Sequence, residues 1–207
     1  MKLFLTSLAS ATLDLLIPLL PKPANKLSVA YITTAADPYP VGNRPWYDSN
    51  RQKLVNLGFQ VIDYDIKNKD EYSLLAELSP FDIIYVEGGN VFYLLWHMRQ
   101  SGMDKTLPKL LDSGKIYVGS SAGSAVLSPT IEHAILFDDP HIVSELTDYR
   151  GLGIINEQIH PHSGKAKYAE REQETINKWG SKLTLLRDDQ MMIVDGSKIV
   201  VVTMPSH

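Results

Sequence analysis

The 207-residue chain contains no cysteine. That absence excludes disulfides, thiolate metal sites and cysteine nucleophiles, so a covalent catalyst here must attack through an oxygen or an amine. It also suits a reducing cytoplasm. Excess positive charge is missing too: 20 Lys and Arg stand against 24 Asp and Glu, giving a formal net charge of −4, and no basic run occurs. Nothing supplies the counterion-release energy that holds a protein on nucleic acid or an anionic membrane, so neither is expected as a partner. No apolar run reaches the roughly 20 residues that span a bilayer. Met1-Lys2, Leu3-Phe4-Leu5 and Ala9-Ser10-Ala11 imitate a secretory signal, but the apolar core is brief and Asp14 interrupts it. A first strand followed by a helix up to Pro21 is expected instead. Repeats, low-complexity tracts and linker-like stretches are absent as well. With 44% apolar content available for a core, residues 1–207 read as one domain.

What is present is a succession of short apolar runs: Lys2 to Leu5, Ser28 to Ile32, Gln60 to Tyr64, Asp82 to Val86 and Ile116 to Val118. Between them, Pro45 to Leu57 and Asn90 to Arg99 carry helical spacing and close at Gly58 and Ser101-Gly102. Continuous rather than alternating strands, each followed by a helix, predict a three-layer α/β sandwich with a mainly parallel central sheet. Beyond residue 150 come an apolar stretch from Gly153 to Ile159, a helical Lys165 to Trp179, a run Leu183 to Leu186, and a predicted hairpin, Met191 to Val194 with Lys198 to Val202, turning at Asp195-Gly196. Met204 to His207 are expected to fray. In such sheets ligands sit at the carboxyl ends of the strands, where Glu87-Gly88-Gly89-Asn90 and the turn after Val118 fall.

That turn is Gly119-Ser120-Ser121-Ala122-Gly123, between a strand and small helix-compatible residues. A serine hydroxyl is a weak nucleophile unless a tight turn lifts it to where a base and backbone N–H groups can reach it, and Gly-x-Ser-x-Gly is the layout of such an elbow. The competing reading is a Gly/Ser loop cradling a phosphate at a helix N-terminus, though the Lys-Ser/Thr of a P-loop is missing. A base and an orienting acid must come from elsewhere in the chain. Among six histidines, His97 lies in a helical stretch and His207 is terminal, while His133 and His141 flank an acidic segment and are expected at the surface. His160-Pro161-His162 ends a strand-like run and is the better source of a base; a His-x-His metal pair would lack an evident third ligand. Asp138, Asp139, Glu157, Asp188 and Asp189 all remain open as the acid, the last two at a strand end.

Taken in order, four segments resemble the peptidase E, or aspartyl dipeptidase, family of serine peptidases, whose more distant relatives include the cyanophycinases. They are Val86-Glu87-Gly88-Gly89-Asn90, Val118-Gly119-Ser120-Ser121-Ala122-Gly123, Ile159-His160-Pro161-His162 and Leu186-Arg187-Asp188. The resemblance implies a class I glutamine amidotransferase-like (flavodoxin-like) sandwich and an acyl-enzyme mechanism needing no metal or organic cofactor. It implies Ser121 as nucleophile, His162 as general base and Asp188 as the acid, with oxyanion donors at the N–H groups of Gly89 and Ala122 beside Gly88, and Asn90 helping to hold substrate. Glu170-Arg171-Glu172-Gln173 is similar to the family's Thr-Arg-Glu-Gln, which makes Arg171 the expected grip on an aspartyl carboxylate. The implied activity is a cytoplasmic exopeptidase acting on small peptides, dipeptides with N-terminal Asp among them; a homodimer is left open. The chain departs from the family at Glu87, where a glycine is usual, at Asp188, where the acid is a glutamate, and in a shorter segment after Pro-His. A serine hydrolase of another amide, such as a cyanophycin-type peptide, and a non-catalytic binding protein on the same fold are the alternatives.

Overall fold

The computed structural model describes residues 1–205; Ser206 and His207, the end of the segment expected to fray, lie outside the described residues. Its centre is a seven-stranded sheet built from β1 (Lys2–Thr6), β2 (Ser28–Ile32), β3 (Gln60–Tyr64), β4 (Ile83–Val86), β5 (Ile116–Ser120), β8 (Gln190–Asp195) and β9 (Lys198–Thr203), in the order β3-β2-β4-β5-β1-β8-β9. The first five strands in that order are parallel, while β8 and β9 run antiparallel at one edge. Strand side chains alternate between two cores, as a sheet covered on both faces requires. Leu3, Leu5, Ile84, Val86 and Tyr117 pack on one side against α3 (Glu71–Leu78), α4 (Val91–Ser101), α5 (Met103–Asp112) and α6 (Ala122–Ala125). Phe4, Tyr31, Tyr85 and Val118 pack on the other against α1 (Ala9–Thr12) and α2 (Pro45–Asn56). The result is the three-layer α/β sandwich.

Several expectations are corrected. The first helix is only α1, which gives way to a 3₁₀ stretch at Leu13–Leu19 containing Pro18. Proline cannot donate an interior helix bond, and Leu13 and Leu16, both buried, are three apart as a threefold period demands. Gln60–Tyr64 is not a buried strand but the sheet edge, with Ile62 54% exposed. Gly153 to Ile159 shrinks to β6 (Gln158–His160), which pairs in parallel with β7 (Leu183–Leu185) in a separate two-stranded sheet; the helical segment after it is α7 (Ala169–Trp179). Met204 is tied down rather than frayed, its N–H donating to the Asp189 carbonyl at 2.8 Å.

This topology gathers the future site. Thr6 pairs with Ser120 and Ile32 with Val86, so the carboxyl ends of β1, β2, β4 and β5 share one edge. The small β6–β7 sheet delivers the segments after His160 and after Leu185 side by side to that edge, with Ser163 N–H bonded to the Leu186 carbonyl.

Candidate active site

Ser121 occupies the turn between β5 and α6 at φ 49°, ψ −107°. A non-glycine residue there costs about 1–3 kcal/mol and persists only where surrounding contacts over-determine it. The contacts are present: Ser121 N–H donates to the Thr6 carbonyl at 2.9 Å, and its own carbonyl accepts from Ser124 and Ala125. Gly123 is required next to it, because a Cβ there would stand 2.1 Å from the Val86 carbonyl oxygen. Ser120, by contrast, is buried and faces Asn50.

Ser121 Oγ lies 2.9 Å from His162 Nε2, and His162 Nδ1 lies 2.7 Å from Asp188 Oδ1. With the Nδ1 proton directed at the carboxylate, Nε2 is left to accept from the serine hydroxyl. Two further residues, not anticipated from the sequence, complete this row. Ser7, just beyond β1, accepts from the His162 backbone N–H at 2.7 Å and donates to Asp188 Oδ1 at 2.7 Å. Lys165 pairs with Asp188 Oδ2 at 2.5 Å. Burial pushes the Asp188 carboxyl up, but the bonds from His162, Lys165 and Ser7 outweigh it and hold the group well below the usual carboxylate range. Asp189 turns away to a fork on Arg187 at 3.0 and 3.1 Å.

The other expected residues divide. Gly88, Gly89 and Arg171 line a cavity of about 330 Å³ that also contains Ser7, Ser121 and His162. Ala122 lines a smaller one of about 50 Å³ that shares Ser121 and His162 with it. Gly89 sits at φ 150° with Ala35 so close that a Cβ would fall 1.9 Å from its carbonyl oxygen, and among the described residues the N–H groups of Gly89 and Ala122 have no acceptor. Asn90 does not face substrate space: its Oδ1 caps α4 by accepting from Tyr93 N–H and its Nδ2 donates to the Asp139 carbonyl, both at 2.9 Å. The expectation that it holds substrate gives way to a role in fixing the turn.

Asp138 lines both cavities, and its Oδ2 accepts from Val91 N–H at 2.9 Å. Burial, partly offset by that bond, pushes its carboxyl up to about 7. His133, expected at the surface, is buried, donating from Nε2 to the Ile159 carbonyl and accepting at Nδ1 from Gln158. His160 packs edge-on to Phe137 and His133, and burial pushes it down to about 4. Among the described residues no cluster of three or more His, Cys, Asp or Glu side chains could hold a metal ion, and no helix is long and apolar enough to cross a membrane.

A serine on a strained strand-to-helix turn, at the carboxyl edge of a mainly parallel sheet and hydrogen-bonded to histidine, places the molecule among the α/β sandwiches with an elbow site. The chain belongs to peptidase family S51, whose model matches residues 3–202, and is a peptidase. It is 27% identical over 157 residues to an uncharacterized peptidase of Listeria monocytogenes, covering 75% of this chain and 77% of the relative. It is 29% identical over 136 residues to peptidase E of Streptomyces coelicolor, covering 61% and 54%. The crystal structure of a peptidase E-like protein from Listeria monocytogenes superposes with a TM-score of 0.91 at 25% identity, covering 99% of this chain and 98% of the other.

Proposed function

We propose that this peptidase is a serine exopeptidase that removes an N-terminal acidic residue, aspartate foremost, from dipeptides and other small peptides. The observation that carries the proposal is the row Ser121–His162–Asp188 opening onto a cavity that holds one guanidinium, Arg171, and one carboxyl, Asp138. Ser121 Oγ attacks the scissile carbonyl carbon while its proton passes to His162 Nε2, and Asp188 stabilises the imidazolium. The N–H groups of Gly89 and Ala122 receive the oxyanion; each such donor is worth about two to three orders of magnitude in rate. His162 then protonates the leaving amine, and water, deprotonated by the same ring, releases the acyl group.

Arg171 supplies a bidentate partner for a substrate side-chain carboxylate, and Asp138 a counter-charge for the free α-ammonium that marks an exopeptidase substrate. A cytoplasmic setting, where small peptides are recycled, fits the cysteine-free chain. Two measurements test the reading. A fluorophosphonate probe should label wild type and spare Ser121→Ala; equal labelling of both would remove the assigned nucleophile. Turnover of Asp-Leu should exceed that of Ala-Leu at least tenfold in wild type and lose that margin in Arg171→Ala. Equal turnover by wild type would discard the acidic preference and leave the peptidase intact.

A further inference from the structure

Glu87 sits directly before the Gly88–Gly89 strand end and is fully buried. Among the described residues it has no cationic partner. Its acceptors are filled by neutral donors: Tyr31 OH, Tyr85 OH at 3.4 Å, Gly88 N–H at 2.5 Å, and Asn50 Nδ2 at 2.9 and 3.2 Å from the two oxygens. Asn50, on α2, also reaches Ser120 Oγ at 3.3 Å with the same Nδ2, while its Oδ1 accepts from Ser10 N–H at 2.7 Å. One carboxylate thus binds the residue before Gly89 directly and the residue before Ser121 through a single amide. The two strand ends are already in contact, since a Cβ on Gly88 would stand 3.1 Å from Ser121 Cβ.

We propose that Glu87 is a positioning residue: acting from beneath the site with Asn50, it locks the Gly88–Gly89 strand end to the Ser120–Ser121 turn, so that the oxyanion donors and the nucleophile stay in register. A buried carboxylate is an expensive way to fill space, and an apolar side chain of similar volume would pack there at lower cost. In its ionised form the side chain supplies two oxygens that only accept, matching donors that converge from β2, β4 and α2. Glutamine keeps the volume but turns one acceptor into an NH₂, which must face at least one of those donors. Small displacements at a reacting centre are costly, a 1 Å error being worth about a hundredfold in rate.

This inference rests on the serine-peptidase reading, and the test separates the two. The reaction followed is phosphonylation by a fluorophosphonate: Ser121 Oγ bonds to phosphorus, fluoride leaves, the serine proton passes to His162, and the phosphoryl oxygen takes the oxyanion position. For Glu87→Gln the maximal labelling rate constant, kinact, should fall about tenfold while the half-saturating probe concentration, KI, stays within about twofold, because binding surfaces are untouched. Asn50→Ala should lose a similar factor in kinact, and the double variant should lose no more than the worse single, as for residues acting as one unit. A Glu87→Gln protein with wild-type kinact, or losses that multiply in the double variant, would overturn the proposal while leaving the peptidase reading standing. Absence of labelling in wild type would overturn both. If Glu87→Gln shows no cooperative unfolding transition, the Asn50→Ala arm decides alone, unchanged kinact there being the adverse result.

Discussion

At the scale of single residues, the choice between two adjacent aspartates decides how the imidazole is held. Asp188 Oδ1 is 2.7 Å from His162 Nδ1, whereas Asp189 is engaged by Arg187. Asp188→Asn would present an amide that can donate to Nδ1 and hold the ring in the wrong tautomer, so kcat should fall by about four orders of magnitude. Asp189→Asn should stay within about twofold of wild type; steady-state kinetics on one dipeptide checks both. His162, Lys165 and Ser7 together depress Asp188, and Ser7 also holds the His162 backbone, so Ser7→Ala should cut kcat by about tenfold with the fold intact. No loss on removing the hydroxyl would show that backbone contacts suffice to hold the ring. Ser121, His162 and Asp188 were legible because the resemblance rests on local motifs. Ser7 was not, since nothing in Thr6-Ser7-Leu8 distinguishes it from an ordinary strand exit. Only the pairing of Thr6 with Ser120 and its 155-residue separation from His162 give it meaning.

At the scale of elements, the elbow depends on close passage of α6 over β4. Gly123→Ala places a methyl within 2.1 Å of the Val86 carbonyl, a backbone atom that cannot swing aside. Overpacking of this kind costs about 1–3 kcal/mol or more, and the predicted outcome is a clear fall in Tm together with loss of fluorophosphonate labelling. Gly180→Ala is the matched control, because its added Cβ meets only the flexible Ile176 Cγ2 at 3.4 Å; its Tm should move by less than a few degrees. The same elements show how far pattern reading reaches. Strands buried on both faces announce themselves as continuous apolar runs, and β1, β2, β4 and β5 fall where those runs lie. Gln60–Tyr64 has a similar composition, yet the sheet ends there, and no local signal says which parallel strand will be the last. α3 and α5 are not among the expected helices although Leu74 and Leu78, and Leu107 with Leu110 and Leu111, carry helical spacing. Their polar faces dilute a period that lasts only about two to three turns. Asn90 illustrates the opposite error: a residue inside a recognised motif whose side chain is consumed in capping the helix that the motif starts.

For the whole molecule, two carboxyls with opposite displacements contribute to the pH dependence of stability with opposite slopes. Asp188 is depressed, so its contribution is present above its unfolded value of 3.8 and is lost as pH falls below that. Glu87 is raised from 4.5 to about 7 by burial, which its hydrogen bonds only partly offset. A raised carboxyl favours folding most when protonated, so its contribution is complete below pH 4.5 and disappears as pH climbs through 7. At about 1.4 kcal/mol per pH unit, that interval amounts to about 3 kcal/mol. Glu87 therefore contributes a decline in stability from pH 5 toward pH 8, opposed below about 6.5 by His133 and His160, which burial pushes down to about 4 and which cost stability as the unfolded chain takes up their protons. Glu87→Gln carries no proton to lose, so the urea midpoints of the variant at pH 5 and pH 8 should differ much less than those of wild type. At pH 8 the variant should still label more slowly than wild type. A wild-type decline that survives unchanged in Glu87→Gln would assign it to other groups, Asp138 first among them, since burial pushes it up to about 7 as well. A flatter pH response together with slower phosphonylation marks a carboxyl kept for alignment; the same flattening with a wild-type labelling rate would mark one kept for folding alone.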